Sequence, residues 1–140
     1  MIGKPIRGRG SHGMKKCDFL SELEEHVQSL FIESPTIMAE EYLSSEEATV
    51  TVMPPTHSHS TYWALPIVSR FNHIGGIALY NGVVAVTANS RVVSQAEYSQ
   101  DPNYARVDRE CEDVALELRP TAPIRIDVRR FTDEAPVCSV

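Results

Sequence analysis

The hydrophobic period of this 140-residue chain changes along its length, and the order of those changes restricts the fold. From Asp18 to Phe31 the apolar residues Leu20, Leu23, Val27, Leu30 and Phe31 recur at helical spacing, with Glu22, Glu24, Glu25 and Gln28 facing water. Asp18 can cap that helix, and Ser21 with Glu24 offers a second start. Ser34-Pro35 suits a cap followed by a first helical residue, which predicts a short helix over 35–43. The period then becomes two. Ala48, Val50 and Val52 alternate with Thr49, Thr51 and Met53, and Pro54-Pro55 ends the strand. A second strand is predicted over 61–68, where Pro66 demands an edge or a bulge. Ile77 to Tyr80 and Val83 to Val86 flank Asn81-Gly82, the signature of a hairpin with a two-residue type I′ turn. Asp101-Pro102 opens a helix over 102–118 with a stripe of Tyr104, Val107, Cys111, Val114 and Leu118. Ile124, Ile126 and Val128 alternate with Arg125, Asp127 and Arg129 in a last amphipathic strand.

This order predicts an α+β fold, with a mostly antiparallel sheet of about five strands packed by the N-terminal helix and the 102–118 helix. The expected divisions are an extended basic Gly-rich arm over 1–16, a single α+β domain over 17–131 and a C-terminal tail over 132–140. The arm carries four glycines and few apolar residues, a composition that does not fold alone. No apolar run reaches the ~20 residues that cross a bilayer, and the arm lacks the apolar centre of a secretory signal. Cys17, Cys111 and Cys138 are odd in number and far apart, which fits a reducing compartment and predicts a cytoplasmic protein, or one in an assembled virion.

Charge is segregated more sharply than the net −6 conveys. Lys4, Arg7, Arg9, Lys15 and Lys16 place +5 in residues 1–16 without an acid, leaving −11 on the rest. Residues 17–69 hold nine acids and no Lys or Arg. An acidic body repels nucleic acid over a Debye length of about 8 Å, so no direct sequence-specific nucleic-acid binding is expected. The five arm cations are candidate contacts to an acidic surface on a neighbouring subunit. Val84 and Val86 are candidate interface residues, because a hairpin apolar on both faces needs cover. A homo-oligomer or permanent protein complex follows as the expected state.

Three histidines, His57, His59 and His73, form a candidate metal set, since an H-x-H pair on extended chain points both rings one way. The pair resembles the H-x-H of cupin metal sites, which implies bound zinc, iron or copper; no Glu follows at the cupin distance. His73-Ile74-Gly75-Gly76 is similar to the His-Gly-Gly stretch that opens the central helix of hotdog thioesterases, which implies a thioester carbonyl at a helix N-terminus. No Asp or Glu occurs between Glu47 and Glu97, so the carboxylate that such a mechanism needs is missing. No phosphate loop, nucleophile elbow or dinucleotide fingerprint is present. With no complete catalytic set and no cofactor motif, the sequence is read as a noncatalytic structural or interaction subunit of a larger assembly. Its element order resembles the small neck, tail-completion and decoration proteins of tailed phages. The alternatives are a small metal-dependent or thioester-handling enzyme centred on the histidines, and an acidic inhibitor or immunity-type protein.

Overall fold

The computed structural model describes residues 1–8, 10–78, 85–130 and 137–139. The fold is α+β and consists of two compact units, residues 1–42 with 72–89, and residues 43–71 with 90–140.

The first unit is built on a three-stranded sheet. Strand β1 (Ile2–Pro5) lies between β2 (Lys15–Lys16) and β3 (Ile37–Glu40), antiparallel to both, with Ile2 opposite Lys16 on one side and Glu40 on the other. Helix α1 (Leu20–Leu30) packs on β1 and buries Leu23 and Leu30. Residues 1–16 are therefore not a tail. Their composition cannot fold alone, but pairing on both edges of β1 satisfies the backbone that glycines leave flexible. The helix predicted over 35–43 is replaced by β3, because the edge of β1 offers Ile37 to Glu40 a row of ladder partners that outweighs a weak local cap. Ser34, the expected cap, donates its hydroxyl to the Thr36 carbonyl at 2.8 Å instead. The cap of α1 is Phe19, with no side-chain hydrogen bond, since the Asp18 carboxylate is taken by Lys16 at 2.9 Å.

The returning segment of this unit makes a tight turn at Gly75-Gly76. Ile74 and Ile77 exchange backbone hydrogen bonds of 2.9 and 3.2 Å, with φ of +59° and +81° at the two glycines, as a two-residue I′ hairpin requires. A Cβ at Gly76 would lie 2.7 Å from the Tyr42 hydroxyl, which donates to the Gly76 carbonyl at 3.2 Å. The Asn81-Gly82 turn and Val84 lie outside the described residues, and Val86 opens a 3₁₀ turn over 86–88.

The second unit is a six-stranded antiparallel sheet. Its strands are β4 (Glu47–Met53), β5 (Trp63–Ala64), β6 (Val68–Arg70), β7 (Ser90–Val92), β8 (Ile124–Arg130) and β9 (Val137–Ser139), in the order β7-β6-β4-β8-β9, with β5 beyond β6 on the same edge of β4. The predicted strand over 61–68 is split in two around Pro66, which has no N–H to give the ladder. Part of the expected tail forms β9, which completes the free edge of β8. Helix α2 (Gln95–Gln100) begins with a capping box of Ser94 and Glu97, and α3 (Pro102–Leu118) begins with the Asp101 carboxylate accepting from the Asn103 N–H at 2.9 Å. The buried stripe of α3 is Tyr104, Val107, Cys111 and Ala115; it packs with Ala48, Val50, Val52, Ile67, Val93 and Val128. Leu118, expected on that stripe, is 69% exposed, because Ala115 supplies the close approach instead. The sequence places both helices on one sheet, whereas each sheet has its own. No helix among the described residues is long and apolar enough to cross a membrane.

Candidate functional site

Period two divides β4 and β8 into two faces. Ala48, Val50, Val52 and Val128 are buried against α3, while Glu47, Thr49, Thr51, Arg125, Asp127 and Arg129 occupy the other face, partly or fully exposed. The antiparallel register sets these in rows: Glu47 opposite Arg129, Thr49 opposite Asp127, and Thr51 opposite Arg125. On the other edge of β4, Arg70 lies opposite Glu47. The polar row at this end therefore reads Arg70, Glu47, Arg129, a carboxylate between two guanidinium groups.

The contacts within this face are ion pairs of open geometry. Arg129 lies 3.5 Å from the Glu47 carboxylate, Arg125 lies 3.3 Å from Asp127, and the Thr49 hydroxyl donates to Asp127 at 3.0 Å. Arg70 donates to the Ser90 hydroxyl at 2.9 Å. The exposed Arg125–Asp127 pair contributes about 0–1 kcal/mol, so folding alone gives little reason to place it here. Guanidinium groups match phosphate oxygens, and carboxylates on an extended strand are hard ligands suited to Mg²⁺. The face can thus hold an anion together with a divalent cation.

Directly beneath the Arg70–Glu47–Arg129 row lies a charged cluster centred on a buried arginine. Arg130 is 5% exposed; its Nε donates to Glu46 at 3.0 Å, its Nη2 to Asp101 at 2.5 Å, and its guanidinium covers the Tyr104 ring at 5.3 Å. Glu46 also accepts from the Tyr104 hydroxyl, at 3.0 and 3.1 Å to its two oxygens, and from Ser69 at 3.1 Å. Burial and donation to Glu46 push the Tyr104 hydroxyl up to about 12. Burial opposes ionisation of Asp101, but the Asn103 N–H and Arg130 hold its carboxyl below the usual range. One signal for this cluster is visible in the sequence: Arg130 and Glu46 continue the inward-facing series of Ile124-Ile126-Val128 and Ala48-Val50-Val52.

In the first unit, the glycine-rich stretch joins β1 to β2. Gly10, Ser11 and Gly13 all have positive φ, and the Met14 N–H closes on the Ser11 carbonyl at 3.2 Å. Two histidines fasten this loop: His12 meets Glu33, just beyond α1, at 3.0 Å, and His26 of α1 meets the Gly13 carbonyl at 2.9 Å. Backbone N–H groups in such a loop can form an anion-binding concavity.

The residues singled out by sequence fall as follows. Lys4 pairs with Glu40 at 2.5 Å, and Lys16 pairs with Asp18 at 2.9 Å, so two of the five arm cations meet acids of their own chain. Lys16 also lies 5.0 Å from the Tyr42 ring centre. Arg7 and Lys15 are exposed, and Arg9 lies outside the described residues. His57 and His59 belong to the second unit and His73 to the first. His59 stacks on Trp63 with ring centres 4.5 Å apart, and its Nδ1 meets the Ser58 hydroxyl at 3.1 Å. Among the described residues no group of three His, Cys, Asp or Glu side chains is placed to hold a metal. His73-Ile74-Gly75-Gly76 enters the I′ turn and not a helix, which removes the helix N-terminus that the thioesterase resemblance implies. Cys111 sits on the core stripe, where burial pushes its thiol up to about 12.

No protein-family model and no curated protein matches this chain. Among solved structures, it is similar to the D-alanine–D-alanine ligase from Bacillus anthracis, in a structure complexed with ATP, with a TM-score of 0.64 and 20% identity over 99% of this chain. The chain spans 37% of the length of that ligase chain. At this identity the likeness is one of fold. It corrects the reading of the chain as a noncatalytic, phage-type virion subunit: what resembled neck and decoration proteins in element order has the three-dimensional arrangement of part of a ligase. Element order alone does not fix function, because one arrangement of helices and strands serves many.

Proposed function

We propose that this chain is a nucleotide-binding domain of an ATP-dependent enzyme, with the polar face of β4, β6 and β8 as its polyphosphate and cation surface. The observation that carries this reading is the likeness, over 99% of the chain, to a ligase structure complexed with ATP. The rows of that face agree with it. Arg70, Arg125 and Arg129 supply guanidinium groups for phosphate oxygens, and Glu47 and Asp127 supply hard oxygen ligands for Mg²⁺. In the first unit, the amides of residues 10–13 with Arg7 and Lys15 are a separate anion-binding element in this proposal. A cytoplasmic place and a homo-oligomeric or permanently complexed state belong to the same proposal. Exposed Phe19 and Ile32, at 67% and 87%, are the surface features that favour association.

Isothermal titration of the 140-residue chain with MgATP tests the reading. Saturable binding, weakened at least tenfold by Arg125→Gln or Asp127→Asn, is the expected result. Absence of any binding by the unaltered chain up to millimolar MgATP overturns it.

A further inference from the structure

The Arg130 cluster has a placement that stability alone does not explain. Three charged groups, Glu46, Arg130 and Asp101, are drawn together with Tyr104 and Ser69 at one end of the second unit's sheet. Taking the Arg130 guanidinium out of water is costly, and a well-packed apolar replacement for a buried charge and its partners is often as stable or more so. What the cluster does is tie five segments at a single point. Glu46 precedes β4, Ser69 is in β6, Arg130 ends β8, Asp101 joins α2 to α3, and Tyr104 is in the first turn of α3. Each of three polar-face residues is the immediate chain neighbour of a member: Glu47 follows Glu46, Arg70 follows Ser69, and Arg129 precedes Arg130. The Arg130 N–H also donates to the Glu46 carbonyl at 2.9 Å, and Arg129 Nε reaches the Ser45 carbonyl at 3.4 Å. Because neighbouring residues of a strand project to opposite faces, fixing one sets the direction of the next.

We propose that Arg130 is a positioning residue: by gripping Glu46 and Asp101 beneath the sheet, it sets the alignment of the Arg70–Glu47–Arg129 row that meets the phosphate-bearing ligand. The proposal rests on the nucleotide reading above. Arginine suits the task because its planar fork engages two carboxylates in different directions at once, whereas the lysine ammonium is a flexible point charge. Tyr104 completes the grip, since its hydroxyl holds both oxygens of Glu46 and so fixes the plane of that carboxylate.

The test compares the unaltered chain with Arg130→Lys, which keeps the charge and loses the fork, and Tyr104→Phe, which removes only the hydroxyl. Arg91→Lys, in the exposed pair with Glu97, serves as control. Far-UV circular dichroism at 10 °C confirms that each is folded, and MgATP affinity is then measured at that temperature. The expected result is a loss of at least tenfold for Arg130→Lys, a smaller loss for Tyr104→Phe and no change for the control. An Arg130→Lys variant that melts earlier but binds MgATP as tightly as the unaltered chain overturns the positioning role and leaves the nucleotide reading standing. Amide hydrogen exchange without ligand supplies the second readout. Faster exchange at Glu47, Arg70 and Arg129 in Arg130→Lys, with Val52 and Ile124 at the far end unchanged, is expected. Uniform acceleration along β4 and β8 overturns the proposal. If the unaltered chain binds no MgATP, the nucleotide reading fails, and the ligand-directed role of Arg130 fails with it.

Discussion

The two faces of β4 and β8 are made by the same fourteen-residue pair of strands, yet they obey different rules. On the inner face Val50 and Val52 have no exposed surface, and Ala115 of α3, equally buried, approaches the sheet closely. On the outer face the side chains are charged or hydroxylated and meet in a hydrogen bond of 3.0 Å and ion pairs of 3.3 and 3.5 Å. Burial of a valine side chain stabilises by roughly 1.5–3 kcal/mol, several times what an exposed ion pair contributes. The inner face thus holds the fold together, and the outer face contributes less to it. A substitution should therefore be read by its parity along the strand before its chemistry is considered.

The comparison is most easily broken at Val50. Val50→Asp places an unpaired charge in the core and should cost about 3–5 kcal/mol, measured by urea unfolding followed by circular dichroism. A loss under about 1 kcal/mol would show that this face is not core. Ala115→Leu, which overfills the α3–sheet contact, should cost about 1–3 kcal/mol by the same measurement. The next effect is pH-dependent. Asp101 titrates below its ordinary 3.8 in the folded chain, so its contribution is complete above that value and fades as pH falls through the lower folded value. Thermal melts of Asp101→Asn should therefore show a shallower decline between pH 5 and about pH 2 than the unaltered chain; parallel curves would remove Asp101 from the acid response. Smallest of all, Arg125→Gln on the outer face should change stability by less than about 0.5 kcal/mol, although under the proposed function it should weaken MgATP binding. A larger loss of stability would blur the division between the faces.

Where period and local chemistry agreed, the fold was legible. Alternation over 47–53 and 124–130 located β4 and β8, and Asp101-Pro102 located the start of α3 together with its cap. Local signals misled where tertiary partners decided the outcome. Ile37 to Glu40 became a strand because β1 was available, and residues 1–16 became two strands despite a composition suited to a tail. The candidate site was legible only in part. Arg125, Asp127 and Arg129 could be seen to share a face, but the facing partners Glu47, Thr49 and Thr51 depend on a register that joins residues far apart in the chain. Spacing makes His57, His59 and His73 conspicuous, whereas only its parity along the strand assigns Arg130 to the core.

The pairing of β4 with β8 has a consequence for how the chain is made. Thr49 and Asp127 are 78 residues apart, so at a synthesis rate of about 5–20 residues per second β4 is complete roughly 4–16 s before its central neighbour emerges. During that interval one edge of a valine-rich strand has no ladder partner, while β5 and β6 can already close the other. Contacts of such long sequence separation also slow refolding, because the loop must close before the contacts reward it. The strand pair that carries the polar face is thus among the last features the nascent chain can assemble, and its unpaired edge is the point at which a stalled chain is most exposed to aggregation.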